Sequence, residues 1–227
     1  MNLDDEALIR AYDVPDRHAW RQDAWVRVNF VMSLDGAISG PEGVSGSLGT
    51  DADRQVFRIA RRQADVVLVG AGTVRAENYS PSRIPTAIVT RSANLPPDLR
   101  LFSERGPEHA RPIILTTSHA ASQAPSWLAD ACEVLDCGAD SVDLKVALQA
   151  LIDRGLVKVL CEGGPALLTD LIDLDLVDEL LLTLAPTLVG GSDHLTNRSG
   201  GFTPPRRFVP IQVIEHEGTI LTRLHRA

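Results

Sequence analysis

Residues 158–172 read KVLCEGGPALLTDLI, and the fold is decided there. Val157 to Cys161 has the short, continuous apolar character of a buried strand. Leu167, Leu168, Leu171 and Ile172 recur at the spacing of one helix face. Between them lies Glu162-Gly163-Gly164-Pro165. Paired glycines allow a sharp turn with exposed N–H groups, and proline suits a first helical turn, where its missing hydrogen would go unpaired anyway. A strand fed into a helix this way aims the positive helix end at one point, where a phosphate binds well. Glycine pairs also serve plain chain geometry, so both roles are open for Gly163, Gly164, Pro165, Ala166 and Leu167. Glu162 stands at the strand's carboxyl end, where ligands of open α/β sheets gather.

Working outward, strand-like and helix-like stretches alternate. Trp25 to Met32 (WVRVNFVM) has the β-branched and aromatic character of a first strand. After a glycine- and serine-rich loop from Ala37 to Gly49, Thr50 is placed to cap a helix from Asp51 to about Gln63. Strands are expected over Asp65–Val69, Pro85–Thr90, Pro112–Thr116, Cys132–Asp136 and Asp178–Leu184. Helices are expected after Gly70 to about Asn78, around a break near Pro125, and over Asp143–Arg154. Phe208–Glu215 and Thr219–Leu224, split by Gly218, close the chain as an antiparallel hairpin. This pattern predicts an α/β fold with a mainly parallel central sheet, helices on its faces and an antiparallel C-terminal edge. Residues 1–24 read as an N-terminal arm, with Asp4 to Tyr12 a short helix packing on the body or on a partner, and residues 25–227 as one domain.

Composition narrows the function. The 227 residues carry a net charge of −8, which argues against nucleic acid or an anionic membrane as the main partner. No apolar run has the length of a membrane span, and the acidic start, MNLDDEALIRAYDVPDRHAW, is no secretory signal. Cys132, Cys137 and Cys161 form no CxxC pair and read as reduced core thiols of a cytoplasmic protein. The histidines do not cluster at ligand spacing, so no metal site is expected.

Four stretches fall at strand ends: Ser33-Leu34-Asp35-Gly36, Gly70-Ala71-Gly72-Thr73, Thr90-Arg91-Ser92 and the Glu162 turn. Gly70-Ala71-Gly72 begins like GxGxxG, but Arg75 fills the last glycine's place, so it is no Rossmann fingerprint. In combination the two glycine turns can hold one pyrophosphate from both sides. Arg91 at its strand end favours the 2′-phosphate of NADP over the bare ribose of NAD. Asp35, Glu77 and Glu162 supply polar groups for a substrate. Asp35-Gly36 is also a good turn pair, and that use of Asp35 stays open.

Taken together, NFVMSLDG at 29–36, the loop and helix from Ser45 to Arg61, VLVGAGTVRAEN at 67–78, CEGGPAL at 161–167 and DELLLTLAPTLVGG at 178–191 resemble the reductase domain of the bacterial riboflavin-biosynthesis deaminase/reductase family. The resemblance covers about residues 25 to 225. It implies a dihydrofolate-reductase-like fold, a homodimer, and NADPH as the donor of the hydride that turns the ribosyl group of a pyrimidine ribosylamine phosphate into a ribityl chain, as in 5-amino-6-(5-phosphoribosylamino)uracil reduction. Cofactor contacts carried over from the family fall on Val31, Ser47, Thr73, Glu77, Arg91 and the run from Gly164 to Asp170, beside Gly70 and Ala71 of the second turn. Substrate contacts fall on Ser45, Arg61 and Glu162, with Asp35 lining the same pocket. Asp35 is then expected to manage a proton and Glu162 to hold the substrate. Bifunctional members carry an aromatic residue where Ser47 stands and acid-acid-proline where Glu77-Asn78-Tyr79 stand. Their downstream arginine, a substrate-phosphate contact, falls on Ile84 here, with Arg83 adjacent. The zinc deaminase signatures H-x-E and P-C-x-x-C do not occur, so a stand-alone reductase is expected. Reduction of dihydrofolate or another pterin on the same fold, and a non-catalytic NADP-binding sensor or scaffold, are the alternatives.

Overall fold

The computed structural model describes residues 5–20, 22–40, 42–190, 194–196 and 201–227. Residues 1–4 and 21 of the expected arm, and Gly191 at the end of the DELLLTLAPTLVGG stretch, lie outside these. Nine strands form one sheet: β1 (Trp25–Met32), β2 (Val66–Gly70), β3 (Thr86–Val89), β4 (Ile113–Thr116), β5 (Glu133–Asp136), β6 (Lys158–Cys161), β7 (Glu179–Leu184), β8 (Phe208–His216) and β9 (Thr219–Arg226). Their spatial order is β5-β4-β3-β2-β6-β1-β7-β9-β8. All pairs are parallel except β7–β9 and β8–β9, so the expected antiparallel C-terminal hairpin is present. Late-arriving β6 inserts between β1 and β2, which brings the carboxyl ends of three strands from distant parts of the chain side by side.

Eight α-helices cover the faces: α1 (Asp5–Ala11), α2 (Asp51–Gln63), α3 (Ala71–Ala76), α4 (Arg100–Ser103), α5 (Ser118–Ser122), α6 (Ser126–Ala131), α7 (Leu144–Ile152) and α8 (Pro165–Asp173), counted among the described residues. Strand residues alternate between the faces, and that alternation builds the core. Val26, Val28 and Phe30 of β1, with Val159 and Cys161 of β6, pack against Leu148 of α7 and Leu168 of α8. On the opposite face Leu160 and Leu181 pack with Val56 and Ile59 of α2, while Val69, Ile88 and Ile114 pack with Val74 of α3 and Leu128 of α6. A cleft is left between α2 and α3, above the ends of β1, β2 and β6. The short helix α4 lies between β3 and β4, where no element was expected from the sequence.

The N-terminal segment packs on the body. Leu8 and Tyr12 are buried against α2 and β9. The carbonyl groups that end α1 are held by two arginines: Arg27 donates to Tyr12 O at 2.8 Å, and Arg223 donates to Ala11 O at 2.8 Å and Asp13 O at 2.6 Å. Both guanidinium groups also grip the fully buried carboxylate of Glu179, Arg27 Nε at 2.6 Å from Oε2 and Arg223 Nε on Oε1. Trp25 Nε1 donates to the same carboxylate at 2.9 Å. The three cysteines are buried and unpaired, as expected of core thiols.

Candidate active site

Two glycine turns meet at the floor of the cleft. Gly163 takes φ +102°, a conformation open to glycine, and a Cβ there would come within 2.9 Å of the Phe30 ring. The Gly163–Gly164 peptide is cis. Gly70 N donates to Gly163 O at 2.7 Å, which joins the β2 turn to the β6 turn. A Cβ on Gly164 would come within 2.8 Å of the Thr73 hydroxyl. Gly164 is the N-cap of α8 and Pro165 its first residue. The N–H groups of Ala166 and Leu167, in the first turn of α8, therefore have no acceptor within the helix. The cradle formed by Gly70, Gly72, Thr73 and Gly164 to Leu167 lines one side of a cleft of about 680 Å³, a volume typical of ligand sites. Free N–H groups, a helix N-terminus and the absence of a Cβ at Gly70, Gly72 and Gly164 fit a pyrophosphate-bearing dinucleotide.

Facing the cradle is a polar cluster. Arg61, near the end of α2, makes a two-pronged ion pair with Glu162, Nε to Oε1 at 2.7 Å and Nη2 to Oε2 at 2.7 Å. The Tyr79 hydroxyl donates to Oε2 at 2.7 Å. The Glu162 side chain is 3 % exposed. The Arg61 guanidinium lies 4.5 Å over the Phe57 ring and 5.6 Å over that of Tyr79. Burial opposes the charge on Arg61, but its bonds to Glu162 hold its pKa above the ordinary range. Burial, with the negative Glu162 beside it, pushes the Tyr79 phenol well above its usual range, so the group remains a proton-bearing donor.

The expected residues sort into two groups. Val31, Ser45, Arg61, Gly70, Thr73, Glu77, Glu162, Gly164, Pro165, Ala166 and Leu167 all line the cleft. Within it Glu77 accepts from Ser45 N at 2.9 Å and Ser45 Oγ at 3.0 Å, fastening the long loop after β1 to the end of α3. Ala71 and Gly163 lie behind the lining, Ala71 as a core residue of α3 and Gly163 through its carbonyl bond to Gly70. Ser47 is exposed, outside the lining, with its hydroxyl turned against Gly40. Arg91 is exposed at the carboxyl end of β3, one strand beyond the Gly70 turn, and also lies outside the lining.

Asp35 departs most from expectation: it does not line the cleft. Its carboxylate accepts from Ser33 Oγ at 2.5 Å, Val189 N at 3.2 Å and Gly190 N at 2.6 Å. These three bonds lower its pKa to about 2. The short side chain is spent on tying the loop after β1 to the turn after β7. In this arrangement Asp35 holds its turn, the other use its sequence allowed. The structure also brings in residues that sequence reasoning missed: Asn29, Asp53, Phe57, Tyr79 and Arg100 all line the cleft. Tyr79 could have been found from the VLVGAGTVRAEN stretch that it follows directly. Arg100 carried no signal, because α4 itself was not legible.

Residues 24–217 match the RibD C-terminal domain family. The 2,5-diamino-6-ribosylamino-4(3H)-pyrimidinone 5′-phosphate reductase of Methanothermobacter thermautotrophicus is 31 % identical over 182 residues, covering 76 % of this chain and 82 % of the relative. The reductase of the same name from Archaeoglobus fulgidus is 25 % identical, covering 89 % of this chain and 99 % of the relative. Among solved structures, a pyrimidine reductase-like protein from Corynebacterium diphtheriae superposes with a TM-score of 0.79 at 27 % identity, over 90 % of this chain and 92 % of that one. The chain belongs to the RibD C-terminal domain family, and with relatives named as reductases it is an oxidoreductase.

Proposed function

We propose that the protein is an NADPH-dependent reductase of a pyrimidine ribosylamine 5′-phosphate in riboflavin biosynthesis. One observation carries the reading: a glycine-rich cradle at the N-terminus of α8 faces the Arg61–Glu162–Tyr79 cluster across a single cleft. The cradle suits the cofactor's pyrophosphate. Arg91 sits at the strand end beside it, exposed and ready for a 2′-phosphate, which supports NADPH over NADH.

The bound nicotinamide supplies a hydride to the anomeric carbon of the sugar. The bond from that carbon to the ring oxygen breaks, and the oxygen takes up a proton. That proton comes from solvent; Tyr79, kept protonated by burial, donates its hydroxyl hydrogen to Glu162 Oε2 and fixes that carboxylate on the cleft wall. Arg61 aligns Glu162 through the two-pronged pair. Arg100 on α4, whose Nε is paired with Glu104 at 3.0 Å, brings a second guanidinium to the lining, where the family's downstream arginine has no counterpart, and its outer nitrogens support binding of the 5′-phosphate. Exposed Val209, Ile211 and Val213 on the edge strand β8 support a homodimer, and the unpaired buried cysteines suit a cytoplasmic protein.

The test is substrate-dependent oxidation of NADPH by the purified chain, with mass analysis showing that the product has gained two hydrogens. Oxidation without that product, or none with any pyrimidine ribosylamine phosphate, contradicts the proposal.

A further inference from the structure

The helix α2 presents two stripes. Asp53, Phe57 and Arg61, at every fourth position, line the cleft, while Ala52, Val56, Ile59 and Ala60 pack with Leu8 and Tyr12 of the N-terminal segment. The last residue of α2 is held from behind as well. Gln63 Oε1 accepts from Arg27 Nη1 at 2.9 Å, and Gln63 Nε2 donates to Asp13 Oδ1 at 2.9 Å. Arg27 is itself fixed, with Nε on Glu179 Oε2 at 2.6 Å and Nη2 on Tyr12 O at 2.8 Å. One buried guanidinium thus ties together the N-terminal segment, the sheet and the end of α2. Arg61, whose bonds to Glu162 form the polar wall of the cleft, stands just ahead of Gln63 on the same last turn. Residues 5–20 precede the stretch that matches the family, residues 24–217, so the family match does not account for this buttress.

Resting on the reductase reading above, we infer that residues 5–20 are a positioning element of the active site, acting through Gln63 to hold Arg61 in register with Glu162. A two-pronged pair is demanding of geometry. A drift of about 1 Å in α2 carries contacts of 2.7 Å beyond hydrogen-bond range. Displacement on that scale costs on the order of a hundredfold in rate when it misplaces a positioning group. The N-terminal segment supports one side of the site only. Among the described residues its apolar cluster draws on α2, β6, β7, β8 and β9, and on neither α3 nor α8, the helices of the cofactor cradle. Loosening the segment therefore acts on the substrate side and spares NADPH. Gln63 and Asp13 are positioning residues, since neither lines the cleft.

Gln63→Ala in the full chain, alone and combined with Arg61→Leu, tests this. The single variant should raise KM for the pyrimidine ribosylamine phosphate by roughly tenfold, as for the loss of about one hydrogen bond to a charged group, with NADPH affinity within about twofold of wild type. In the Arg61→Leu background the same change should add nothing, because the pair that it positions is gone. Asp13→Asn keeps the acceptor for Gln63 Nε2 and should behave as wild type, whereas Asp13→Ala should share the rise in KM. A readout that needs no turnover is the Nε–H resonance of Arg61, identified by its loss in Arg61→Leu. In wild type that hydrogen is bonded to Glu162, and in Gln63→Ala it should exchange with solvent roughly tenfold faster. A lower Tm with KM and Nε–H exchange both unchanged leaves the segment a structural role alone and overturns the inference. An equal rise in KM with and without Arg61 overturns it too. Wild type that turns over no pyrimidine ribosylamine phosphate overturns the reductase reading instead, and exchange at the Arg61 Nε–H then decides the positioning claim by itself.

Discussion

Arg61 and Glu162, 101 residues apart in the chain, close a two-pronged ion pair at the mouth of the glycine cradle, with both contacts at 2.7 Å. The pair joins α2 to the end of β6 and sets the angle at which the two faces of the cleft meet. Glu162 is nearly enclosed, so removing Arg61 would strand its charge. Arg61→Leu is expected to cost roughly 1–3 kcal/mol, less than a fully buried pair because Arg61 is itself part-exposed. A fall in Tm of several degrees checks it, together with a raised KM for substrate.

Gly164→Val should abolish NADPH binding while the chain still folds. The φ of −78° at this position suits any residue, so the backbone conformation does not itself require glycine. The new side chain, however, meets the Thr73 hydroxyl and fills the cradle that the pyrophosphate needs. Circular dichroism should stay near wild type while an NADPH fluorescence titration goes flat. Unchanged affinity would place the phosphates elsewhere.

Arg91→Ala should weaken NADPH by roughly ten- to a hundredfold, the worth of a charge-assisted contact, and leave NADH nearly as it was. Titrating the variant with both cofactors checks it. An equal loss for both would remove Arg91 from 2′-phosphate recognition.

Asp35→Ala should leave turnover within about threefold of wild type, far from the hundredfold or more that loss of a general acid or base brings. Its effect belongs to the loops. Val189 and Gly190 lose their acceptor, so their amide hydrogens should exchange faster. A hundredfold fall in kcat with unchanged exchange would return Asp35 to the chemistry.

Much of the fold could be read locally. Trp25–Met32 and Asp51–Gln63 were expected at the bounds they have, because a β-branched run and a capping threonine are signals carried by neighbouring residues. The two glycine turns and Glu162 were legible for the same reason. Asp35 was expected in the cleft and lies outside its lining, because an Asp-Gly pair at a strand end looks alike whether its carboxylate faces a ligand or another loop. Partners 154 and 155 residues away decide that. Asp53 looked like one more acid in a helical first turn. Only the packing of α2 over β7 shows that it is buried beside Thr183 and turned toward the cleft.

Glu179 predicts an acid transition. Burial pushes its carboxyl up, but His225, Arg27 and Arg223 together hold it down, from 4.5 to about 2. A carboxyl depressed in the folded state contributes stability that is complete above its unfolded pKa and is lost as pH falls through the folded one. The N-terminal segment, clamped by the same arginines, should therefore loosen between about pH 4.5 and 2, followed by the fluorescence of Trp25. Glu179→Gln should be less stable at neutral pH and lose the part of the transition in that window.

The account stands or falls on the cleft acting as one reductase site. Its most direct test is NADPH oxidation dependent on a pyrimidine ribosylamine phosphate, by wild type and by Glu162→Gln. The variant keeps the shape of the side chain but not the charge that holds Arg61 and Tyr79. The account predicts a ribityl product from wild type and a kcat/KM lower by roughly a hundredfold in Glu162→Gln, with NADPH affinity nearly intact. Wild type that makes no such product, or a variant that makes it undiminished, would contradict it.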